Sequence, residues 1–260
     1  MDTPPTPVEA PPLRPRSSLF ARLLNIFAVP GEVFDEVKAS PPSVANWLVP
    51  TLIFGLVAAV ASYLIYSQPA IVQQIREQQM KPIEERVNAG TMTRQQGDQA
   101  EKNLEFLSGP IGKIFVSGSK FVGCFVALFW SAFLLWLIGR VLLKVPVSFM
   151  KMTEVAGLAS AISILGVIVN LLLKISLSSS IASLGPVLLV LHADPSSKLV
   201  QVLAALDITV FWALFVQAIG LAKFTNVSVF KAAGCIILVV LLQVACCLGG
   251  IVGIQRVFGR

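Results

Sequence analysis

Apolar residues gather in five long runs separated by short polar breaks. The runs cover residues 47–66, about 114–139, 155–173, 199–222 and about 232–254. At a helical rise of 1.5 Å per residue, each is long enough to cross the ~30 Å of a bilayer's hydrocarbon. Basic residues close most of them: Arg140 and Lys144 the second, Lys174 the third, Lys223 the fourth, Arg256 the fifth. A shorter apolar pattern precedes them. Leu19, Phe20, Leu23, Leu24 and Phe27 recur at helical spacing, and Arg22 and Asn25 break the stripe. Pro30-Gly31 ends that piece, a second short helical piece carries Val33, Phe34 and Val37, and Pro41-Pro42 stops it. Neither piece reaches the ~20 residues of a span. The segment 18–46 reads as amphipathic helix lying in the membrane interface. Helix packed on the bundle from the cytosol fits the same pattern.

The polar stretches complete the organisation. Residues 1–17 form a proline-rich tail, with proline at 4, 5, 7, 11, 12 and 15, and are expected to be extended and disordered. No apolar run follows the first residue, so no cleaved leader is expected. Residues 67–113 are a polar insert with six acids and six bases. Its first half is helical to Val87 and stops at Asn88-Ala89-Gly90. Thr93 and Gln96 then have the spacing of a capping box opening a second helix. A helical hairpin on the membrane surface follows. Residues 175–191 hold five serines and Gly185-Pro186. They read as a re-entrant or interfacial segment, with a short sixth span as the competing reading. Residues 255–260 are a short C-terminal tail.

Composition then excludes the soluble classes. Of 260 residues, 55% are hydrophobic and 13% charged, whereas a soluble domain carries about 25% charge. The chain is therefore an all-α, polytopic transmembrane bundle of five spans forming one domain over 47–254. The net charge of +6 comes from bases scattered at span ends. It points to lipid headgroups and not to nucleic acid. With five spans, nine Lys and Arg fall on the face of the N-terminus and four on the other, leaving the insert aside. That favours a cytoplasmic N-terminus, and the side that holds the insert is left open. Cys124, Cys235, Cys246 and Cys247 lie in apolar runs and read as packing. His192 is the only histidine. No phosphate loop, zinc-protease or nucleophile-elbow motif is present. No enzyme, cofactor or metal is expected.

Several residues stand out inside this frame. Asp207 sits among apolar residues of the fourth run, and intramembrane acids mark polar sites by default. Asn170, Gln217 and Gln243 are its candidate amide partners. Gly249 and Gly253, and Gly55 with Ala59, have the small-residue spacing of close helix contacts. Packing within the chain is the default use, and a homo-oligomer the lesser one. Val-Ser-x-x-Lys occurs twice, as Ser148 with Lys151 before the third span and Ser228 with Lys231 before the fifth. The serines are candidate caps and the lysines candidate interfacial anchors.

Pro30-Gly31-Glu32-Val33-Phe34, Trp47-Leu48-Val49-Pro50 and the two Val-Ser-x-x-Lys stretches, in this order among five spans, resemble the Yip domain family. These are integral membrane proteins named for interaction with Ypt/Rab GTPases. The similarity covers about residues 19–255, and the long first loop makes the chain look most like bacterial members. The resemblance implies a five-helix bundle with a cytosolic N-terminus, in a bacterial inner membrane, or in Golgi or ER membrane for a eukaryotic source. It implies a non-enzymatic scaffold or organiser of membranes acting through protein or lipid partners. The alternative is a small transporter or channel subunit that uses Asp207.

Overall fold

The computed structural model describes residues 17–195 and 197–258, with side chains as far as Cys246. Ten α-helices and no strand occur among the described residues: α1 (Leu19–Ala28), α2 (Pro30–Ala39), α3 (Ala45–Tyr66), α4 (Pro69–Asn88), α5 (Arg94–Ser108), α6 (Pro110–Leu137), α7 (Phe149–Ser176), α8 (Lys198–Ala205), α9 (Ile208–Thr225) and α10 (Val229–Phe258). A π-turn over Ile138–Leu142 prolongs α6. The proline-rich tail lies outside the described residues.

The boundaries follow local chemistry. Pro30, Pro69 and Pro110 each open a helix, where the missing N–H costs nothing. Ser18 Oγ accepts from the Ala21 N–H at 3.2 Å to start α1. The expected capping box is made. Thr93 Oγ1 accepts from Gln96 N–H at 3.2 Å, and Gln96 Oε1 accepts from Thr93 N–H at 2.9 Å.

Five helices, α3, α6, α7, α9 and α10, are long and apolar enough to cross a membrane. The fourth differs from its sequence expectation. The run 199–222 is two helices, with a break at Leu206-Asp207. The span is α9 alone, and Asp207 is its N-cap rather than a mid-span residue. A carboxylate beside a free helix start satisfies its own acceptors and an orphan N–H together, which a continuous helix would not allow. The backbone there is also pinned from outside. Ile208 N–H donates to Leu184 C=O at 2.9 Å, and a Cβ on Gly185 would stand 2.1 Å from the Leu206 carbonyl oxygen.

Helix α7 is the central post. Every residue from Lys151 to Ile162 is buried, and α3, α6 and α9 pack around it. Glycine makes the tightest crossing. A Cβ on Gly157 would fall 2.4 Å from Trp47 Cα, so α3 and α7 touch backbone to backbone. Val155 packs near Gly220 and Gly166 against Thr209, so α9 runs antiparallel to α7. Gly55, one of the predicted packing residues, lies against Phe121 of α6, and Ala59 one turn on is half-buried. The packing of Gly249 and Gly253 lies outside the described residues. Helix α10 leans mainly on α9. Outward-facing Leu52, Leu56, Val122, Val126, Leu172, Phe211 and Leu241 leave an apolar belt around the bundle. Such a continuous patch belongs in lipid.

Helices α1 and α2 form a hairpin about Val29. Arg22 and Glu36, symmetric about that elbow, approach to 3.5 Å. The hairpin does not lie across the end of the bundle. It stands beside α7 and α9. Phe34 meets Gly220, Asp35 pairs with Lys223 at 2.6 Å, and Phe27 packs edge-on against Trp212 in the second turn of α9. At 1.5 Å per residue the elbow region thus reaches about 20 Å along α9 from its C-terminus. Burial of Ile26, Val33, Phe34 and Val37 explains the position. With the pair upright, the apolar stripes of both short helices join one core with α7 and α9.

The other end is closed by the insert. Gln74 receives Ser180 N–H at 2.9 Å and donates to Ser178 C=O at 2.8 Å. Gln78 donates to Ser180 Oγ at 2.7 Å. The segment after α7 is thereby held as a compact loop with one 3₁₀ turn at Pro186–Leu189. Ile181 and Val187 bury against Val200 of α8.

Candidate functional site

Two polar centres sit at opposite ends of α7. At its start, Glu154 is completely buried. Asn46, at the start of α3, donates to Glu154 Oε2 at 2.5 Å. Lys151 Nζ lies 3.1 Å from Oε1, one helical turn back. The same ammonium donates to the Val37 carbonyl at 2.6 Å and the Ser40 carbonyl at 2.8 Å, at the C-terminal end of α2. A cation there also faces the negative end of that helix. Arg22 of α1 donates to Asn46 Oδ1 at 3.2 Å and sits by Glu36, which accepts from Ser17 Oγ. One chain of contacts thus joins α1, α2, α3 and α7. Each charge is matched, as burial demands.

At the other end, Asp207 is nearly buried and fully engaged. Its Oδ1 accepts from Thr209 N–H at 2.8 Å and from Thr209 Oγ1 at 2.6 Å, and its Oδ2 accepts from Asn170 Nδ2 at 2.6 Å. Asn170 Oδ1 accepts from Leu184 N–H at 2.8 Å. Lys174 donates to the Ser180 carbonyl. This arrangement stitches α7, α9 and the loop together. Outside the bundle, Lys81 pairs with Asp194 at 2.8 Å. That hydrogen bond is the main cause that raises the lysine above its usual range.

Of the amides paired with Asp207 by sequence, Asn170 reaches it. Gln217 instead accepts from Ser131 Oγ at 2.9 Å, and Gln243 lies 3.4 Å from Trp130 Nε1. The two Val-Ser-x-x-Lys copies also diverge. Ser228 accepts from Lys231 N–H at 3.3 Å, and Lys231 is exposed. Ser148 makes no side-chain cap. Lys151 is buried in the Glu154 pair rather than standing at headgroup level, because α2 covers it. Sequence reasoning passed over Arg22, Asn46 and Glu154 as site residues. A signal existed in the Lys151/Glu154 spacing of three, which places opposite charges on one helix face. Arg22 within an apolar stripe was a second.

The fold, the apolar belt and the charge matched inside the bundle define a polytopic helical membrane protein. The family model for the Yip1 domain matches residues 24–251, and the chain belongs to that family. No curated protein and no solved structure matches it.

Proposed function

We propose that the protein is a non-enzymatic membrane scaffold, with its N-terminus on the cytoplasmic side, acting through protein or lipid partners. The observation that carries this reading is the clamped hairpin. Buried Arg22 and Lys151 fix α1 and α2 to the bundle, while Phe20, Leu24 and Glu32 face outward from them. The internal charges hold helices together, so the outer surface of the hairpin is left for recognition. Family membership accords with such a role. The transport reading is weaker on this geometry, since the Asp207 carboxylate is engaged as a helix cap. We assign no cofactor and no catalytic residue.

The test places a photo-crosslinking residue at Phe20 or Leu24 of the full-length protein in its native membrane. The expected result is a recurrent adduct, to one protein or to lipid, absent when the probe sits at buried Ile26. Adducts no more frequent than at Ile26 would overturn the proposal. Reconstituted flux that disappears in Asp207→Asn would favour transport instead.

A further inference from the structure

A cavity of about 240 Å³ lies inside the bundle, between α3, α6, α7 and α9. Its polar lining comes from Thr51, Ser131, Ser160, Ser163 and Gln217, with the Cys124 thiol beside them. Gln217 is at the middle of α9 and Ser160 twelve positions into α7, so the cavity lies deep between the two ends. It contains no charged side chain.

The hydrogen-bond inventory of the lining is unbalanced. Three hydroxyls have already used their hydrogens. Thr51 donates to the Trp47 carbonyl at 2.6 Å, Ser160 to the Gly157 carbonyl at 2.6 Å and Ser131 to Gln217 Oε1 at 2.9 Å. Each keeps lone pairs that can accept. Among the described residues the Gln217 amide NH₂ and the Ser163 hydroxyl make no hydrogen bond to the protein, and both residues are half-buried, so these groups face the cavity. An amide or hydroxyl left without a partner in an apolar medium is destabilised. An occupant that both donates and accepts removes that cost. A charged occupant would meet no counter-charge there.

We propose that this cavity is a binding site for a small uncharged hydroxyl-bearing molecule of about glycerol size. At about 30 Å³ per water, its volume also holds several waters when that molecule is absent. The proposal goes beyond the scaffold reading and does not depend on it, because no residue of the hairpin lines the cavity. Entry is from the bundle's side. Ala127 at the rim is exposed, and Phe54 is half-buried next to it.

Cys124 supplies the reporter. A thiol reacts through its thiolate, which needs a hydrated surrounding. The other three cysteines are replaced by alanine in the full-length protein, reconstituted in vesicles. A small neutral methanethiosulfonate then labels Cys124 in the folded state, and glycerol slows the reaction severalfold in proportion to its concentration. Sucrose at equal osmolality, too large to enter, leaves the rate unchanged. Ser160→Leu, which fills the cavity, abolishes labelling, and Gln217→Leu removes the protection by glycerol. Circular dichroism and a thermal midpoint confirm that both variants fold. A Cys124 that reacts only after unfolding would overturn the proposal. So would a rate that glycerol and sucrose affect equally.

Discussion

Lys151 is the residue whose loss should be felt most. Lys151→Met removes the partner of a carboxylate with no solvent exposure and frees two carbonyls at the end of α2. Breaking a buried ion pair from one side costs about 3–5 kcal/mol, because the remaining charge is left uncompensated. Asn46 still donates to Glu154, which places the expectation near the lower end, at about 3 kcal/mol. Glu154→Met removes the other charge and should cost a comparable amount. The double variant carries no buried charge at this point, and replacing a whole pair by apolar groups is often neutral. Its remaining cost is the lost link to Val37 and Ser40 and the stranded Asn46 amide, about 1.5–3 kcal/mol for hydrogen bonds to a charged group. The double variant therefore costs less than the two single variants together. Denaturant unfolding of the purified protein in micelles, followed by tryptophan fluorescence, gives the four free energies of the cycle. A coupling of several kcal/mol is expected. Single costs that add within about 0.5 kcal/mol would show that the two charges act independently and would refute the reasoning.

Three further perturbations test other parts of the structure. Asp207→Ala should lower stability by about 1–2 kcal/mol through loss of the cap, whereas Asp207→Asn, which still accepts from Thr209, should keep most of it; thermal unfolding separates the two. Gly157→Ala puts a methyl 2.4 Å from Trp47 Cα, and the forced separation of α3 and α7 should cost about 1–3 kcal/mol, measured in the same unfolding assay. The Lys81–Asp194 contact concerns pH. The lysine is raised in the folded state, so its contribution is fully present below the unfolded value of about 10.4 and is lost as pH rises through the folded value. Amide exchange in the segment 192–195 should therefore show equal protection at pH 7 and 9, once corrected for intrinsic rates, and lose it only at more alkaline pH.

What could be read from the sequence was whatever depends on neighbours along the chain. The Thr93/Gln96 box and the stop at Pro30 are local devices, and the structure has them where the spacing puts them. The number of spans follows from apolar length. The break at Asp207 was hidden because an acid in an apolar run has two outcomes. It either stays in the helix and seeks a partner, or starts a new helix and caps it. The choice depends on Leu184 and Gly185, whose backbones arrive from elsewhere and pin Leu206-Asp207-Ile208. The divergent fates of Lys151 and Lys231 have the same origin. Their sequence contexts match, but only Lys151 has α2 laid over it.

The hairpin shows why the buried charges and the scaffold surface belong together. Ten-residue helices are marginal alone, since nucleation is costly and few intrahelical bonds repay it. Both α1 and α2 are of that length. Their outward Phe20, Leu24 and Glu32 form one surface only while Ile26, Phe34 and Val37 are covered by α7 and α9. Apolar contact alone would let such a pair slide, because adjoining helical turns present similar surfaces. Lys151 reaching the Val37 and Ser40 carbonyls, and Arg22 reaching Asn46, select one register along the bundle axis. A buried polar contact that adds little net stability can still exclude the neighbouring registers, which would strand its charges unpaired. The Arg22–Asn46–Glu154–Lys151 chain thus sets where the recognition surface stands, and the apolar core supplies most of the energy that keeps it there.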